Sequence, residues 1–375
     1  MHLYLHIPFC RQACHYCDFH FSTQLDGRKA LVDALSQELV LQQAYLSRQP
    51  LETIYLGGGT PSLLTEAELA QLMETVYRHF PVQANAEVTL EANPDDLTNE
   101  KLIQFKTLGV NRLSIGIQSF DEANLRHLHR IHTATEGESS VRRAQDVGIE
   151  NISIDLIYAI GSAPDHRIWE HDLAKAISLG VPHISAYCLT IEPQTVFGNW
   201  LKRKKIQPID DEFAAQQFEL LTQHLSGAGY EQYEISNFAQ AGRYSRHNTS
   251  YWQQEPYLGI GPSAHSFDGL TTRQYNVSNN ARYVAAIERG EIPCETEHLT
   301  ERNRVNEYLL ISLRTQWGCN LSKLKAISQE GHALIHSFTP SLIESGWLFR
   351  DGDTLRLTTP GKLFADRVAA ELFWV

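Results

Sequence analysis

Strand-like and helix-like segments alternate six times along the N-terminal part of this 375-residue chain. Runs rich in Ile, Leu, Val and Tyr predict strands at residues 3–9, 53–56, 86–91, 112–118, 152–157 and 183–189. Helical periodicity follows them at residues 29–46, 66–80, 99–108, 139–147, 167–178 and 211–228. Repeated β–α units form a parallel sheet with right-handed crossovers. Because six units are fewer than the eight of a closed barrel, the sequence predicts an α/β fold, either an incomplete (β/α)6 barrel or a doubly wound sheet.

In either fold, the side chains that carry chemistry lie at the carboxyl ends of the strands. The second predicted strand runs into Gly57-Gly58-Gly59-Thr60-Pro61, where glycine lets the backbone approach a ligand closely, although a plain tight turn would use the same residues. The third strand ends at Glu91, the fourth ends at Gln118, and the fifth carries Asp155. Buried polar side chains need partners. These residues therefore either bind a ligand or form hydrogen bonds between strands.

Cys10, Cys14 and Cys17 follow the first predicted strand with C-x3-C-x2-C spacing. Three thiolates so close together can bind one soft metal centre but leave it one ligand short, because tetrahedral zinc and cubane clusters take four. Two other interpretations stay open. A zinc site could draw its fourth ligand from His6, His15 or His20, and the cysteines could also be unrelated buried thiols. No secretory signal precedes these cysteines. We therefore expect a cytoplasmic location and no disulfide.

Charge and hydropathy exclude two classes of partner. The formal net charge of −12 opposes nucleic-acid binding, which requires a basic surface. No apolar run approaches the roughly 20 residues of a membrane span, so nothing in the sequence indicates membrane contact. Cys188, Cys294 and Cys319 are widely separated along the chain and are expected to be inert core thiols.

The C-terminal residues differ in pattern from the rest. Helices are predicted at residues 301–316, 321–328 and 332–345, followed by a hairpin that turns at Asp351-Gly352 and a last helix after Pro360. This pattern is winged-helix-like. DNA binding is not expected, because the third helix lacks Lys and Arg and Pro340 interrupts it. The predicted units are residues 1–235 (partial barrel), 236–298 (barrel-closing segment) and 299–375 (winged-helix-like domain).

Taken together, these motifs resemble the coproporphyrinogen III dehydrogenase-like family of the radical S-adenosylmethionine (SAM) superfamily, over nearly the whole chain. The resemblance implies a 4Fe-4S cluster on Cys10, Cys14 and Cys17, with its fourth iron bound by the amino and carboxylate groups of SAM. It places Tyr4, Gly58 and Glu91 around that SAM. The pattern of a second SAM pocket falls on the following residues: Tyr16, Gly59, Thr60, Gln118, Arg130 and Asp155.

Not every position follows the family pattern. An arginine can hold a SAM carboxylate through paired hydrogen bonds, although an exposed cation at a helix end is the other interpretation of Arg130. The family continues its fifth strand with glycine and Leu-Pro-Gly-Gln, whereas this chain has Tyr158-Ala159-Ile160-Gly161-Ser162-Ala163-Pro164-Asp165. The missing glycine at position 159 is expected to narrow the loop beside Asp155.

Two features are similar to the haem-chaperone branch of this family. Phe19 stands where the dehydrogenase has a fourth cysteine, and His247-Asn248-Thr249-Ser250-Tyr251-Trp252 forms an H-N-x-x-Y-W motif. Imidazole is a common axial ligand of haem iron, and aromatic rings offer flat apolar surface, so His247 is a candidate haem ligand. A polar core histidine is the competing interpretation. His265 is a second candidate, with a buried structural role favoured for it.

The resemblance therefore implies a haem chaperone that carries SAM, a 4Fe-4S cluster and haem and delivers haem to an acceptor protein. A low-potential electron donor such as a flavodoxin or ferredoxin is the other expected partner. Two alternatives are an oxygen-independent coproporphyrinogen III dehydrogenase and a zinc-dependent binding protein without radical chemistry. Porphyrin dehydrogenase activity is expected to be absent, and no catalytic residue is assigned.

Overall fold

One large sheet organises the computed structural model of the chain, which describes residues 1–45, 49–161 and 165–375. Within these ranges the sheet has twelve strands in the order β12-β11-β10-β9-β1-β2-β3-β4-β5-β6-β8-β7. Strands β1 to β12 are His2–Ile7, Leu51–Gly58, Val82–Ala92, Arg112–Gln118, Asn151–Tyr158, His183–Cys188, Glu231–Glu234, Asn237–Ala239, Tyr257–Ile260, His265–Phe267, Thr272–Asn276 and Cys294–His298.

Strands β1 to β6 are parallel and stand in sequence order. Helices α1 to α10 are Arg28–Leu41, Glu66–His79, Asn99–Thr107, Glu122–His127, Ala134–Asp146, Arg167–Ser178, Val196–Lys202, Asp211–Gly227, Arg246–Trp252 and Asn280–Glu288. Short 3-10 turns at Pro61–Leu63 and Pro94–Asp96 follow β2 and β3. A doubly wound sheet reverses its strand order at a switch point. The sequential order therefore confirms the incomplete barrel.

Local sequence explains most of the helix boundaries. Gly109, Gly148, Gly180 and Gly229 adopt positive φ angles just after α3, α5, α6 and α8, as C-terminal caps require. Helix α5 begins before the predicted residue 139, because Thr133 and Glu136 form a capping box at its start. The predicted helix 29–46 ends at Leu41 instead, and its last predicted residue lies outside the described residues.

The segment predicted to close the barrel extends the sheet at both edges. Strand β8 pairs antiparallel with β6 and β7, so the domain boundary predicted at residue 235 falls inside a paired hairpin. At the other edge, β9 pairs parallel with β1, and β10 to β12 continue antiparallel beyond it. This arrangement brings the segment after the H-N-x-x-Y-W motif beside the first strand.

The C-terminal residues form a second hydrophobic core. Helices α11 to α15 are Glu301–Leu313, Leu321–Ile327, Gln329–Glu344, Thr359–Lys362 and Ala365–Glu371, and strands β13 to β15 are Cys319–Asn320, Leu348–Asp351 and Thr354–Leu357. Their buried apolar residues pack together, among them Leu309, Ile335 and Leu355. Pro340 does not interrupt its helix as predicted, since α13 continues through it. Arg314 pairs with Glu234 at 3.1 Å and so joins this core to the sheet.

No helix within the described ranges is both long and apolar enough to span a membrane.

Candidate cofactor sites

The three cysteines lie on the loop that follows β1, and backbone hydrogen bonds hold this loop at its base and its tip. At the base, the Cys10 N–H donates to Ser22 O at 3.0 Å, and the Ser22 N–H donates to Pro8 O at 2.7 Å. At the tip, the His15 N–H donates to Leu128 O at 3.2 Å. The loop is therefore fixed against the carboxyl edge of the sheet.

Cys10, Cys14 and Cys17 line one cavity of about 490 Å³, which we call the cysteine cavity. Its other walls come from the cysteine loop and the carboxyl ends of β2 to β6, and they include Gly58, Thr60, Glu91, Gln118, Arg130, Asp155 and Cys188. Cys188 is exposed, Cys294 is half-buried and Cys319 is buried, so the expectation of core thiols is correct for Cys319 and wrong for Cys188. The loop and the sheet thus enclose a space in which thiols and strand-end polar groups meet.

Two of the three sulfurs accept hydrogen bonds from the cavity wall. Thr60 Oγ1 donates to Cys10 Sγ, and Arg130 Nη1 donates to Cys14 Sγ, both at 3.4 Å. Burial raises the pKa of the Cys10 thiol and raises that of Cys17 to about 12. Without a metal, these two thiols therefore keep their protons at neutral pH. In the described part of the chain, no three His, Cys, Asp or Glu side chains are arranged as ligands of one metal ion.

The residues expected around SAM converge on this cavity, with one exception. The following ones line it: Tyr16, Gly58, Gly59, Thr60, Glu91, Gln118, Arg130 and Asp155. Tyr4 lies instead in a neighbouring cavity. Residues from six separate parts of the sequence therefore meet in one cavity, as the strand ends and the family resemblance together predict, and Tyr4 lies outside it.

The glycines after β2 are required by close backbone packing. Gly58 has φ +107°, and a Cβ there would lie 2.5 Å from Cε1 of His6. A Cβ at Gly59 would lie 2.7 Å from the carbonyl oxygen of Phe9. A side chain at Gly58 would therefore collide with the His6 ring of β1, and one at Gly59 would push the start of the cysteine loop away from β2. The glycine run is therefore more than a tight turn, because it holds the loop against the sheet.

Glu91 accepts two hydrogen bonds within the cysteine cavity. Tyr55 OH donates to its Oε1 at 2.7 Å, and the Gly58 N–H donates to its Oε2 at 3.0 Å. Burial raises the pKa of Glu91 to about 7, against these hydrogen bonds and with a smaller contribution from the charge of Asp155. A carboxylate oxygen has more than one acceptor position, so Glu91 can still accept hydrogen bonds from a ligand.

Arg130 is half-buried, rather than being an exposed cation at a helix end. Its Nη2 donates to Asn93 Oδ1 at 2.6 Å and to Gly116 O at 2.8 Å. Its Nε is buried and has no hydrogen-bond partner among the described residues. Burial acts to lower the pKa of Arg130, but the neighbouring Tyr16 and Cys14 raise it overall. A fixed cation thus lies beside the cysteines with one donor uncommitted.

Asp155 faces the same cavity from β5 and accepts hydrogen bonds from Ser114 Oγ at 3.2 and 3.3 Å. The loop beyond it begins at Ala159, which has φ +60° where the family has glycine. That backbone conformation explains why glycine suits the position. Ser162-Ala163-Pro164 of the predicted departure lie outside the described residues.

A second cavity of about 600 Å³ lies next to the first, and we call it the aromatic cavity. Rings dominate its lining, which comprises Tyr4, His6, Phe19, His20, Tyr251, Gln254, Tyr257, Ser263, His265, Phe267, Arg273, Glu307 and Ile311. Phe19 is 70% exposed and lines both cavities. The two spaces therefore share one side chain, at the position where the dehydrogenase has its fourth cysteine.

His247 lies in the core below these cavities and lines neither of them in the part of the chain described. Its Nδ1 is 2.6 Å from Thr53 Oγ1, and its Nε2 is 2.8 Å from Tyr251 OH. Burial holds its pKa well below the usual value, so the ring is neutral. Both ring nitrogens are occupied, and the structure does not place His247 where it could meet an external haem iron. Tyr251 is the residue of the H-N-x-x-Y-W motif that lines the aromatic cavity.

The two histidines thus exchange their expected environments, since the candidate ligand His247 is buried. His265, expected to be buried, is exposed and faces the aromatic cavity. Tyr257 and His20 also line this cavity, and the sequence analysis assigned neither of them a role there. Their signal was proximity in sequence to the cysteines and to the glycine-rich segment 259–261.

Comparison with known proteins adds the following. The family model described as "Radical SAM superfamily" matches residues 4–173. The protein named "Heme chaperone HemW" from Bacillus subtilis (strain 168) is 37% identical over 372 residues, 97% of each chain. The one from Escherichia coli (strain K12) is 34% identical and covers 99% of this chain and 97% of its own.

A solved structure is similar over nearly the whole of this chain. Coproporphyrinogen III oxidase (HemN) from Escherichia coli, described as a radical SAM enzyme, superposes with a TM-score of 0.85 at 21% identity. The match covers 99% of this chain and 89% of that chain. At this level of identity the likeness supports the fold alone.

Proposed function

The chain belongs to the HemW family of the radical SAM superfamily, and from this premise we propose that it binds haem and delivers it to an acceptor protein. The observation that carries the proposal is the extent of the match. Relatives named as haem chaperones align over 97% or more of this chain at 34–37% identity, beyond the radical SAM region that ends at residue 173.

The cofactors of this superfamily fit the cysteine cavity. We propose that Cys10, Cys14 and Cys17 bind a 4Fe-4S cluster and that Arg130 and Thr60 stabilise the bound thiolates through their hydrogen bonds to sulfur. Soft thiolates on one loop, with donors already directed at two of them, are a donor set suited to iron–sulfur ligation. When bound, a SAM-ligated cluster supplies one-electron radical chemistry.

The remaining cavity residues are suited to holding SAM. Glu91 presents carboxylate oxygens to ribose hydroxyls, and the uncommitted Nε of Arg130 presents a donor to a carboxylate. Gly58, Gly59, Gln118, Asp155 and Tyr16 complete the proposed SAM-binding wall. Tyr4 stands apart from this wall, because it lines the aromatic cavity and its OH lies 3.1 Å from Nδ1 of His6.

The main alternative, coproporphyrinogen III decarboxylation, is disfavoured by a specific residue. Phe19 replaces the fourth cysteine of the dehydrogenase pattern and presents a phenyl ring to both cavities. The fold similarity to HemN does not argue for that activity, because the same scaffold carries different reactions. A zinc-binding role would account for the thiols but gives no function to Glu91 and Arg130.

Four measurements on one anaerobically reconstituted sample test the proposal. We expect iron and sulfide at about four each per chain, saturable binding of ferric haem, and transfer of bound haem to an apo-globin. We expect no carbon dioxide release from coproporphyrinogen III with SAM and a low-potential reductant. Zinc in place of iron would favour the binding-protein alternative, and turnover of the porphyrinogen would favour the dehydrogenase.

We further propose that a flavodoxin or ferredoxin reduces the cluster and that the protein works in the cytoplasm. The exposed rim of the cysteine cavity, which includes Phe19 and Cys188, offers a reductant access to the cluster loop. Reduction of the reconstituted cluster by purified flavodoxin, followed by its visible spectrum, tests the donor. Cell fractionation tests the location.

A further inference from the structure

We propose that haem binds in the aromatic cavity and that His265 ligates its iron. This inference rests on the proposed haem binding and adds the site and the ligand. It separates the haem site from the cysteine cavity, and it assigns ligation to a histidine outside the H-N-x-x-Y-W motif.

The shape and lining of the aromatic cavity suit a flat apolar macrocycle. Its volume of about 600 Å³ lies within the roughly 300–1,000 Å³ of cofactor pockets. Tyr4, Tyr251, Tyr257, Phe267 and Phe19 contribute rings to its walls. Aromatic side chains offer broad surfaces for stacking or edge contacts with a porphyrin.

The charges in the wall are already balanced. Arg273 Nη2 lies 2.6 Å from Glu307 Oε2, and Arg273 Nη1 lies 3.6 Å from Glu297 Oε2. Of these three residues, Arg273 and Glu307 line the cavity, and their opposite charges offset each other in its wall. The cysteine cavity differs, since the Nε of its cation, Arg130, has no hydrogen-bond partner among the described residues.

Among the histidines of the aromatic cavity, His265 is the one prepared to bind a metal. His6 is within hydrogen-bonding distance of Tyr4 OH through Nδ1 and of His20 O through Nε2. His20 Nε2 is 2.7 Å from Asn280 Oδ1. The ring of His265 has no hydrogen-bond partner among the described residues, and it is exposed to the cavity.

The electrostatics around His265 keep its ring in the ligating form. Burial lowers its pKa, and the positive charge of Arg273 lowers it further, against the opposing effect of Glu297. A neutral imidazole carries the lone pair that iron requires. Its place on the short strand β10, paired to Tyr275 of β11, fixes the backbone from which the ring projects.

The test is a ferric haem titration of the full chain, read by absorbance and by electron paramagnetic resonance. For His265→Ala we expect a dissociation constant at least tenfold higher and loss of the imidazole-ligated spectrum, with partial recovery of that spectrum when free imidazole is added. His298→Ala is the matched control, since His298 is an exposed histidine of β12 that lines neither cavity in the described chain. It should bind haem as the wild type does.

Two further variants locate the ligand if it is elsewhere. His20→Ala should change affinity less than threefold and leave the spectrum intact. His247→Ala, checked for folding by circular dichroism, should also keep the imidazole-ligated spectrum. Wild-type binding with an unchanged His265→Ala spectrum would overturn the inference, as would loss of ligation in folded His247→Ala. Failure of the wild type to bind haem would instead overturn the proposed function.

Discussion

The two neighbouring cavities are built from different parts of the sheet and from different chemistry. The cysteine cavity collects charged and polar groups from the carboxyl ends of consecutive parallel strands. The aromatic cavity collects rings from β1, from α9 and from the added strands β9 and β10. Phe19 is common to both. The comparison teaches that one continuous sheet can carry a polar cofactor site and an apolar one side by side.

The largest expected effect is removal of a cluster ligand. Cys14→Ala should reduce iron and sulfide from about four per chain to near zero after reconstitution, because two thiolates cannot hold the cluster. Cys188→Ala is the control, since Cys188 lines the same cavity and is exposed. Haem affinity of Cys14→Ala should stay within twofold of wild type. A parallel loss of haem binding would break the separation of the two cavities.

In the cysteine cavity, the raised pKa of Glu91 should make the stability of the protein depend on pH. Glu91 has a folded-state pKa of about 7, above its usual 4.5, so the folded protein holds this proton more tightly than the unfolded chain. Its contribution to stability is present below pH 4.5 and is lost as the pH rises through 7. Relative to Glu91→Gln, the wild type should lose up to about 3 kcal/mol of unfolding free energy across that range, and less where water enters the cavity.

Denaturant titrations from pH 5 to 8, without SAM, measure this difference. Tyr55, Asp155 and Arg112 are the titratable groups that act on Glu91, and all three are retained in both proteins. Parallel stability curves for wild type and Glu91→Gln would show that the carboxyl group titrates normally.

Replacement of Arg130 should weaken SAM binding and leave haem binding unchanged. Arg130→Lys cannot reproduce the contacts to Cys14, Asn93 and Gly116 together, because lysine lacks the planar fork of arginine. We expect the SAM dissociation constant to rise about tenfold or more, equivalent to about 1.4 kcal/mol. Calorimetric SAM titration measures it, with the exposed Arg126→Lys as control. Equal SAM affinities for the wild type and Arg130→Lys would show that Arg130 does not bind SAM.

Replacement of Phe19 should have the smallest effect, and it should weaken haem binding in the aromatic cavity. Phe19→Ala removes one ring contact, worth about 0.5–1.5 kcal/mol, so haem should bind two- to tenfold more weakly while SAM affinity stays within twofold. Phe338→Ala, which removes an exposed phenyl ring from α13, is the control. Weaker SAM binding with unchanged haem binding would assign Phe19 to the cysteine cavity alone.

The same contrast explains what the sequence could predict. Strand β4 and helix α6 match their predicted bounds, because period-two and 3.6-residue patterns are local signals. The strand-end residues of the cysteine cavity followed from motifs that a parallel sheet must bring together, whereas Tyr16 and Arg130 followed only from the family resemblance. Local patterns gave no sign that β9 pairs with β1, since that contact joins residues far apart in the chain.

His247 and His265 show most clearly what could not be predicted from the sequence. His247 and His265 are both polar residues in family-like segments, and their types do not reveal which one is buried. Burial of His247 depends on Thr53 of β2 and Tyr251 of α9, whereas exposure of His265 depends on the antiparallel extension beyond β9. Neither environment follows from the residue types alone, even though Tyr251 is close to His247 in sequence. The aromatic cavity therefore emerged only from the fold.

Anomalous X-ray scattering at the iron edge, from crystals of the reconstituted protein loaded with haem, tests the central claim most directly. We predict two separate iron signals, a cluster beside Cys10, Cys14 and Cys17 and a single iron beside His265 in the aromatic cavity. A single-iron signal inside the cysteine cavity or next to His247 would contradict the account.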